Sequence, residues 1–292
     1  MTPHQPGFSG GHLDRADHLR ADDAALYALR LDPRARVLNL VGFDPFLTAQ
    51  GSLEWGPVDA LDPDAVLILL GLLDGYAHFV VLHEQPNEAP LFRSPRVMEV
   101  LSVLGPEDMA IYGAARSLLD WHGRHRFCGR CGGATHVHKA GWGRRCSVCA
   151  SEHFPRVDPV VIMLAEHGGQ ALVGRQASWP PGRYSALAGF LEPGETMEEA
   201  VARELFEEAG VRATRVRYVT SQPWPFPAQL MLACVAEVQS DTLRIATEEI
   251  EDAIWVSRDD VKAALAGEPD AKFLAPPRYA VAYTLLRHWA ET

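Results

Sequence analysis

The sequence lacks an apolar run long enough to cross a membrane. Its most apolar window, Ala65 to Leu82, is interrupted by Asp74-Gly75. Asp-Gly between two apolar stretches is a hairpin signal, so Val66–Leu73 and His78–Leu82 read as paired strands rather than as a span. No targeting segment is visible, which makes the cytoplasm the expected location. Positive charge is in short supply: 27 Lys and Arg against 38 Asp and Glu give a net charge of −11. That balance argues against broad, sequence-blind DNA binding, which rests on cationic contacts. There is no internal repeat and no long low-complexity run. Cysteine is scarce, five in 292 residues, and without a secretory signal a disulfide framework is not expected.

What the chain does have is concentrated in one stretch, Gly189 to Val211, reading GFLEPGETMEEAVARELFEEAGV. Gly189, Glu195, Arg203, Glu204, Leu205, Glu207, Glu208, Gly210 and Val211 stand at fixed spacing. The seven Gly, Glu and Arg positions among these nine alone arise by accident at on the order of one start site in 10^8 or fewer. Residues 197–209 are good helix formers with no interior Gly or Pro. Thr196 is a natural N-cap, Glu198 and Glu199 suit the first turn, and Gly210 suits the C-terminal stop. Val201, Leu205 and Ala209 form an apolar stripe at four-residue spacing. Glu204, Glu207 and Glu208 share another face. Like charges so placed repel, and the helix gains nothing from them unless a cation is held there. Mg2+ and Mn2+ take such oxygen ligands. The bland reading, a solvated acidic face, is outweighed by the preceding Gly-x5-Glu loop, by Arg203 within the cluster and by the full spacing.

The stretch resembles the Nudix box, the signature of hydrolases acting on a nucleoside diphosphate linked to another moiety, with no departure at the signature positions. The resemblance implies that the Ala188 carbonyl, Glu204 and Glu208 are metal ligands, that Glu207 is a ligand or near-ligand, and that Arg203 orients the carboxylates. It makes Glu195, Arg203, Glu204, Glu207 and Glu208 the catalytic set, with Glu207 or Glu195 as the general base.

Downstream stands Ser221-Gln222-Pro223-Trp224-Pro225-Phe226-Pro227-Ala228-Gln229. Alternating prolines fix φ and favour extension, so Trp224 and Phe226 are held stiffly. They suit either stacking on a flat ring or filling a core from an edge strand. The array resembles the SQPWPFP motif of the NADH pyrophosphatase branch of the Nudix hydrolases. By that resemblance Gln222, Pro223, Trp224, Pro225, Phe226, Pro227, Ala228 and Gln229 line a dinucleotide site. Phe190, Phe154 (often Tyr in that branch) and Ala282 also meet substrate there. Glu249 completes the metal site, with Glu248 and Glu251 as neighbouring alternatives.

Cys128-x2-Cys131 and Cys146-x2-Cys149 are two knuckles fit for a closed, tetrahedral four-thiolate zinc site. The same branch carries such a ribbon before its Nudix domain. A folding staple is preferred to a nucleic-acid contact, although Arg124, Arg126, Arg144, Arg145, His122, His125 and His138 stand close in sequence. That branch often has an acidic residue where Gly141 stands here, so a substrate contact from that position is not expected. Cys234, in an apolar run, reads as inert core.

The expected architecture is α+β: a Nudix α/β/α sandwich with a mixed sheet, preceded by the zinc ribbon and an N-terminal α/β domain. Residues 1–12 read as a disordered tail, 13–125 as the N-terminal domain, 126–152 as the ribbon and 153–292 as the Nudix domain. Strands are expected at 37–41, 65–82, 160–166, 170–175, 216–220 and 230–237, and helices at 107–121 and 278–290. In relatives the N-terminal domain helps form a homodimer, and an arginine in it can touch substrate; Arg93 and Arg96 are candidates. The expected reaction is hydrolysis of the diphosphate of NADH or NAD+ to nicotinamide mononucleotide and AMP, with two or three Mg2+ or Mn2+ ions and one structural Zn2+. The same bond is broken when NAD caps are removed from RNA 5′ ends. A reading of another class is an inactive Nudix fold serving as nucleotide sensor or nucleic-acid-binding regulator; the intact glutamate set argues against it.

Overall fold

The computed structural model describes residues 5–83, 95–246 and 249–292. Contacts group the chain into two compact units. One comprises Asp158–Pro223 and Gln229–Thr292 with the N-terminal residues to Gly7; the other comprises Phe8–Val157 and Trp224–Ala228. Among the described residues no helix is long and apolar enough to cross a membrane.

In the unit that begins at Phe8, α1 (Asp23–Leu31) is opened by Asp22, whose carboxylate accepts from the Ala25 N–H. Strands β1 (Arg36–Leu38), β2 (Leu40–Val41), β3 (Asp44–Pro45), β4 (Trp55–Pro57), β5 (Leu67–Leu73) and β6 (Tyr76–Val81) follow. Four of them form a sheet in the order β4-β1-β6-β5. The β5–β6 turn is Asp74-Gly75, with φ of 51° and 82°, the positive pair that a tight hairpin needs. The strand expected over 37–41 breaks at Asn39, which turns its N–H and its side-chain amide to Glu54. Then come α2 (Pro95–Val103) and α3 (Pro106–Arg124), the latter started by proline at its first turn. Strands β7 (Thr135–His138), β8 (Gly143–Cys146) and β9 (Glu152–His153) make the small antiparallel sheet of the ribbon.

The disordered tail expected over 1–12 does not extend to Phe8. Phe8 is 3% exposed and lies edge-on to Trp224 and Phe226 at centroid distances of 5.7 and 6.1 Å. Burying a ring of that size offsets the entropy of ordering the chain around it.

The other unit is a three-layer sandwich. Its strands are β10 (Asp158–His167), β11 (Gln170–Arg175), β12 (Leu187–Phe190), β13 (Ala213–Trp224), β14 (Gln229–Val238) and β15 (Asp252–Ser257). The sheet order is β13-β14-β10-β11-β15, with β12 paired on β10. It is mixed: β10 runs parallel to β14 and antiparallel to β11 and β12. The strands are buried on both faces, and alternation sorts their side chains. Val161, Met163, Leu172 and Cys234 pack with Val201 and Leu205 of α4 (Met197–Ala209) on one face. Ile162, Leu164, Val173 and Val235 pack on the other with α5 (Arg258–Ala266) and α6 (Val281–Glu291). The helix expected over 278–290 begins later, because Ala280 N–H turns back to Pro277 O before the helical ladder starts.

Candidate functional site

The box helix is built as its sequence dictates. Thr196 accepts from Glu199 N–H while the Glu199 carboxylate accepts from Thr196 N–H, a reciprocal capping box. Gly210 closes the helix with φ of 74°. The apolar stripe Val201, Leu205 and Ala209 is fully buried. Burying that stripe turns the neighbouring face, with Glu204 and Glu208, partly inward, and these two carboxylates are only 8% and 7% exposed.

Arg203 holds the cluster. Its guanidinium donates to both oxygens of Glu195 at 3.1 and 2.6 Å, to Glu204 at 2.8 Å, to Glu207 at 3.0 Å and to the Phe190 carbonyl at 2.8 Å. Such charge-assisted bonds are the strong kind. The fork holds the Glu195 carboxyl below its ordinary range, and Glu195 also accepts from Glu192 N–H at 2.7 Å. Glu204 lies against the β12 backbone: a Cβ on Gly189 would stand 1.8 Å from its carboxyl carbon. Only glycine beside Ala188 leaves that cradle open. Burial pushes the Glu204 carboxyl up, and burial, then repulsion from Glu204, Glu249 and Glu207, pushes Glu208 up to about 8. Glu208 Oε2 is buried, with no hydrogen-bond partner among the described residues. The Glu207 side chain is 55% exposed and, among the described residues, bonds to Arg203 alone.

Glu249 is brought to this cluster by the main chain. Arg244 N–H donates to Ala209 O and Ala246 N–H to Glu208 O, satisfying carbonyls of the last turn of α4. Gly210 permits that approach, since a Cβ there would stand 2.8 Å from Arg244 Cβ and 3.2 Å from its nitrogen. Glu249 then bears electrostatically on both Glu204 and Glu208. Of the alternatives, Glu251 pairs with Arg175 at 2.7 Å, and Glu248 lies outside the described residues.

The remaining expected contacts divide. Phe190 and Phe154 are each 55% exposed, and Lys139 Nζ stands 4.8 Å over the Phe154 ring. Pro223 is exposed; Trp224, Pro227, Ala228 and Gln229 are half-buried. Gln222 is 0% exposed. Its amide donates to Gly7 O at 2.8 Å and Tyr279 O at 2.7 Å, and its Oε1 accepts from Val281 N–H at 2.8 Å. Both amide hydrogens and one acceptor site are spent on two stretches of chain, at Gly7 and at 279–281, so its side chain fastens the fold rather than facing a ligand. Phe226 is 1% exposed and Pro225 is buried; the core-filling reading of Phe226 holds, because Phe8, Trp224 and Arg116 surround its ring. The Ala282 methyl is buried against the sheet, which leaves only its backbone for a ligand. Arg96 lies over the Phe46 ring at 5.8 Å, and Arg93 is outside the described residues.

In the other unit, the sulfurs of Cys128, Cys131, Cys146 and Cys149 lie within 4.8 Å of one another. Pairs stand at 3.7, 3.5 and 3.4 Å. Disulfides need about 2.05 Å, whereas tetrahedral zinc with bonds of about 2.3 Å gives S–S edges of about 3.8 Å. Backbone N–H groups of Arg130, Val148 and Cys149 point at the sulfurs, as suits thiolates. His153 Nε2, 3.2 Å from Cys128 Sγ, is an outer partner that no spacing rule in the sequence marks. Cys234 is fully buried and its thiol is pushed up to about 12, first by burial.

The NUDIX domain family model matches residues 155–276, and the NADH pyrophosphatase zinc ribbon domain matches residues 124–154. A NAD-capped RNA hydrolase NudC of Mycobacterium bovis is 35% identical over 305 residues, covering 98% of this chain and 95% of that protein. The chain belongs to the Nudix family. Human NAD-capped RNA hydrolase NUDT12 is 43% identical over 271 residues, 89% of this chain and 55% of that protein. Nudix hydrolase 19, chloroplastic, of Arabidopsis thaliana is 47% identical over 169 residues, 55% of this chain and 39% of that one. The chain therefore spans about half the length of the human relative it matches.

The box of this Nudix chain fits hard divalent ions. Its donors are carboxylate and carbonyl oxygens, one buried oxygen of Glu208 is unpartnered, and Gly189 leaves the cradle open. The carboxylates are more spread than the sulfurs: among the described residues only the cysteines bring three or more ligand atoms within 4.8 Å of one another. That openness suits ions that keep waters and substrate oxygens. The cysteines fit zinc, with every position filled by protein.

Two outcomes test these sites. Cys131→Ser lowers bound zinc from about one equivalent per chain to near none by elemental analysis, together with the melting temperature, since binding energy is folding energy; full zinc retention refutes the site. The second concerns pH. A carboxyl raised to about 8 favours its neutral form in the fold. Its contribution is fully present below its ordinary value and is lost as pH rises through 8. In EDTA the melting temperature falls from pH 6 to 9, and the increment on adding Mn2+ grows over the same range. A pH-independent increment rejects the role of Glu208.

Proposed function

We propose that this chain hydrolyses the diphosphate of NADH or NAD+, releasing nicotinamide mononucleotide and AMP. The observation that carries the reading is Glu208, whose buried Oε2 has no hydrogen-bond partner among the described residues, beside Glu204 and Glu249, which repel it. The supporting context is the matching ribbon and box. The Ala188 carbonyl, Glu204, Glu208 and Glu249 would hold Mg2+ or Mn2+. When bound, such ions neutralise phosphate oxygens and lower the pKa of an attacking water.

The chain's own residues do the rest. Arg203 fixes Glu195, Glu204 and Glu207, so the carboxylates are preorganised. Glu195, held ionised in a bidentate pair and bonded to the loop, is an anchor. Glu207, exposed and singly tied, is the group positioned to take the proton of the attacking water. The resemblance to the NADH pyrophosphatase branch assigns the ring contacts to Phe190, Phe154 and Trp224, since aromatic faces stack on flat rings, and the backbone contacts to Pro223–Gln229 and Ala282. Residues 13–125, 126–152 and 153–292 act as N-terminal domain, ribbon and Nudix domain of a cytoplasmic homodimer.

A second substrate reading has its own support. The mycobacterial and human relatives are named for NAD-capped RNA, and the bond broken would be the same.

Incubation with NADH and Mn2+ should release AMP, and Glu208→Gln should cut turnover by about 100-fold or more, the loss of about 3 kcal/mol of transition-state stabilisation. Turnover within about tenfold of the wild type rules out Glu208 as a ligand. Specificity constants on NADH and on NAD-capped RNA, measured in one buffer, rank the two substrates.

A further inference from the structure

The loop at Trp224–Ala228 has a difficulty written into its sequence. Prolines at 223, 225 and 227 fix φ but remove three N–H donors, so the segment cannot lock itself into a backbone ladder. Its carbonyls still need partners if they are to be buried. The structure supplies these from α3. Arg116 Nε donates to Pro225 O at 3.0 Å, and Ser117 Oγ donates to Pro227 O at 3.2 Å. The Arg116 guanidinium lies over the Phe226 ring at 4.8 Å and over the Phe43 ring at 4.7 Å. Phe43 is itself fixed through its carbonyl, which accepts from Tyr112 Oη at 2.8 Å.

A buried guanidinium is costly unless its donors and faces are used, and Arg116 is 5% exposed. Gly113, one turn before Arg116 and Ser117 on the same helix face, completes the seat. A glycine inside a helix costs about 1 kcal/mol relative to alanine, so its place in α3 calls for a reason. A Cβ there would stand 2.9 Å from the Phe8 ring and 3.5 Å from Pro225, and Phe8 in turn packs edge-on against Trp224 and Phe226. Gly113, Arg116 and Ser117 thus form one surface on which the loop and its aromatic rings rest.

We infer that Arg116 is a positioning residue for substrate recognition: from α3 it fixes the backbone of Pro225–Pro227 and the Phe226 ring, and so sets where Trp224 is presented. The inference rests on the dinucleotide reading above. It assigns no chemistry to Arg116 itself.

The test is steady-state kinetics on NADH with Mn2+ for the full chain. Arg116→Lys keeps the charge but loses the planar stack and the Nε donor. It should raise KM about tenfold or more while kcat stays within about threefold, the signature of lost binding without lost chemistry. Gly113→Ala, which pushes Phe8 toward the same rings from a different atom, should shift KM in the same direction. Peptides covering 224–228 should exchange amide hydrogen faster in both variants, while the Mn2+ dissociation constant stays at the wild-type value. A folded Arg116→Lys or Gly113→Ala protein with unchanged KM overturns the inference, as does a fall in kcat alone. If the wild-type protein itself releases no AMP from NADH, the functional reading fails instead, and faster exchange at 224–228 still reports on the loop.

Discussion

The sandwich that carries the box depends on a repulsion that is only partly relieved. Packing the apolar stripe of the box helix against the sheet carries Glu204 and Glu208 inward with it. One cation, Arg203, is shared among Glu195, Glu204 and Glu207; Glu208 has no hydrogen-bond donor on its buried oxygen. A core that leaves an ionisable oxygen so placed gives up stability. Other features follow from this one. Gly189 must lack a side chain so that Glu204 can lie against the strand, and Gly210 must accept both a positive φ and a close backbone neighbour so that Glu249 arrives.

Much of this was legible because the constraint is local in sequence. Capping by Thr196, the stop at Gly210, the buried stripe and the grouped carboxylates all follow from helical period and end chemistry, and the structure has each of them. The Asp74-Gly75 hairpin and the four-cysteine cluster were likewise local patterns. What the sequence hid was long-range. Phe226 and Phe190 are both aromatic residues beside motif positions, yet one is enclosed by Phe8 and Arg116 and the other is exposed. Gln222 looks like a polar ligand contact until its three partners, from Gly7, Tyr279 and Val281, are seen. No periodicity predicts such closures, because the partners are separated by 57 to 215 positions.

Chain membership adds a constraint that domain boundaries drawn along the sequence miss. The segment Trp224–Ala228 belongs with Phe8–Val157, although it is flanked on both sides by strands of the sandwich. Its carbonyls are served by a helix more than a hundred residues earlier. Phe8–Val157 is thereby more than a passenger: it holds Trp224, Pro225, Phe226 and Pro227, four of the seven residues of the SQPWPFP array.

The placing of sulfur has a last consequence. Cys234 is shut within the sandwich, with its thiol held neutral at physiological acidity, and the other four cysteines all sit in the ribbon, where Cys131 is exposed. Peroxide or an electrophile reacts with accessible thiolate. The accessible sulfur of this molecule therefore lies in the ribbon, and the sandwich presents no accessible sulfhydryl of its own.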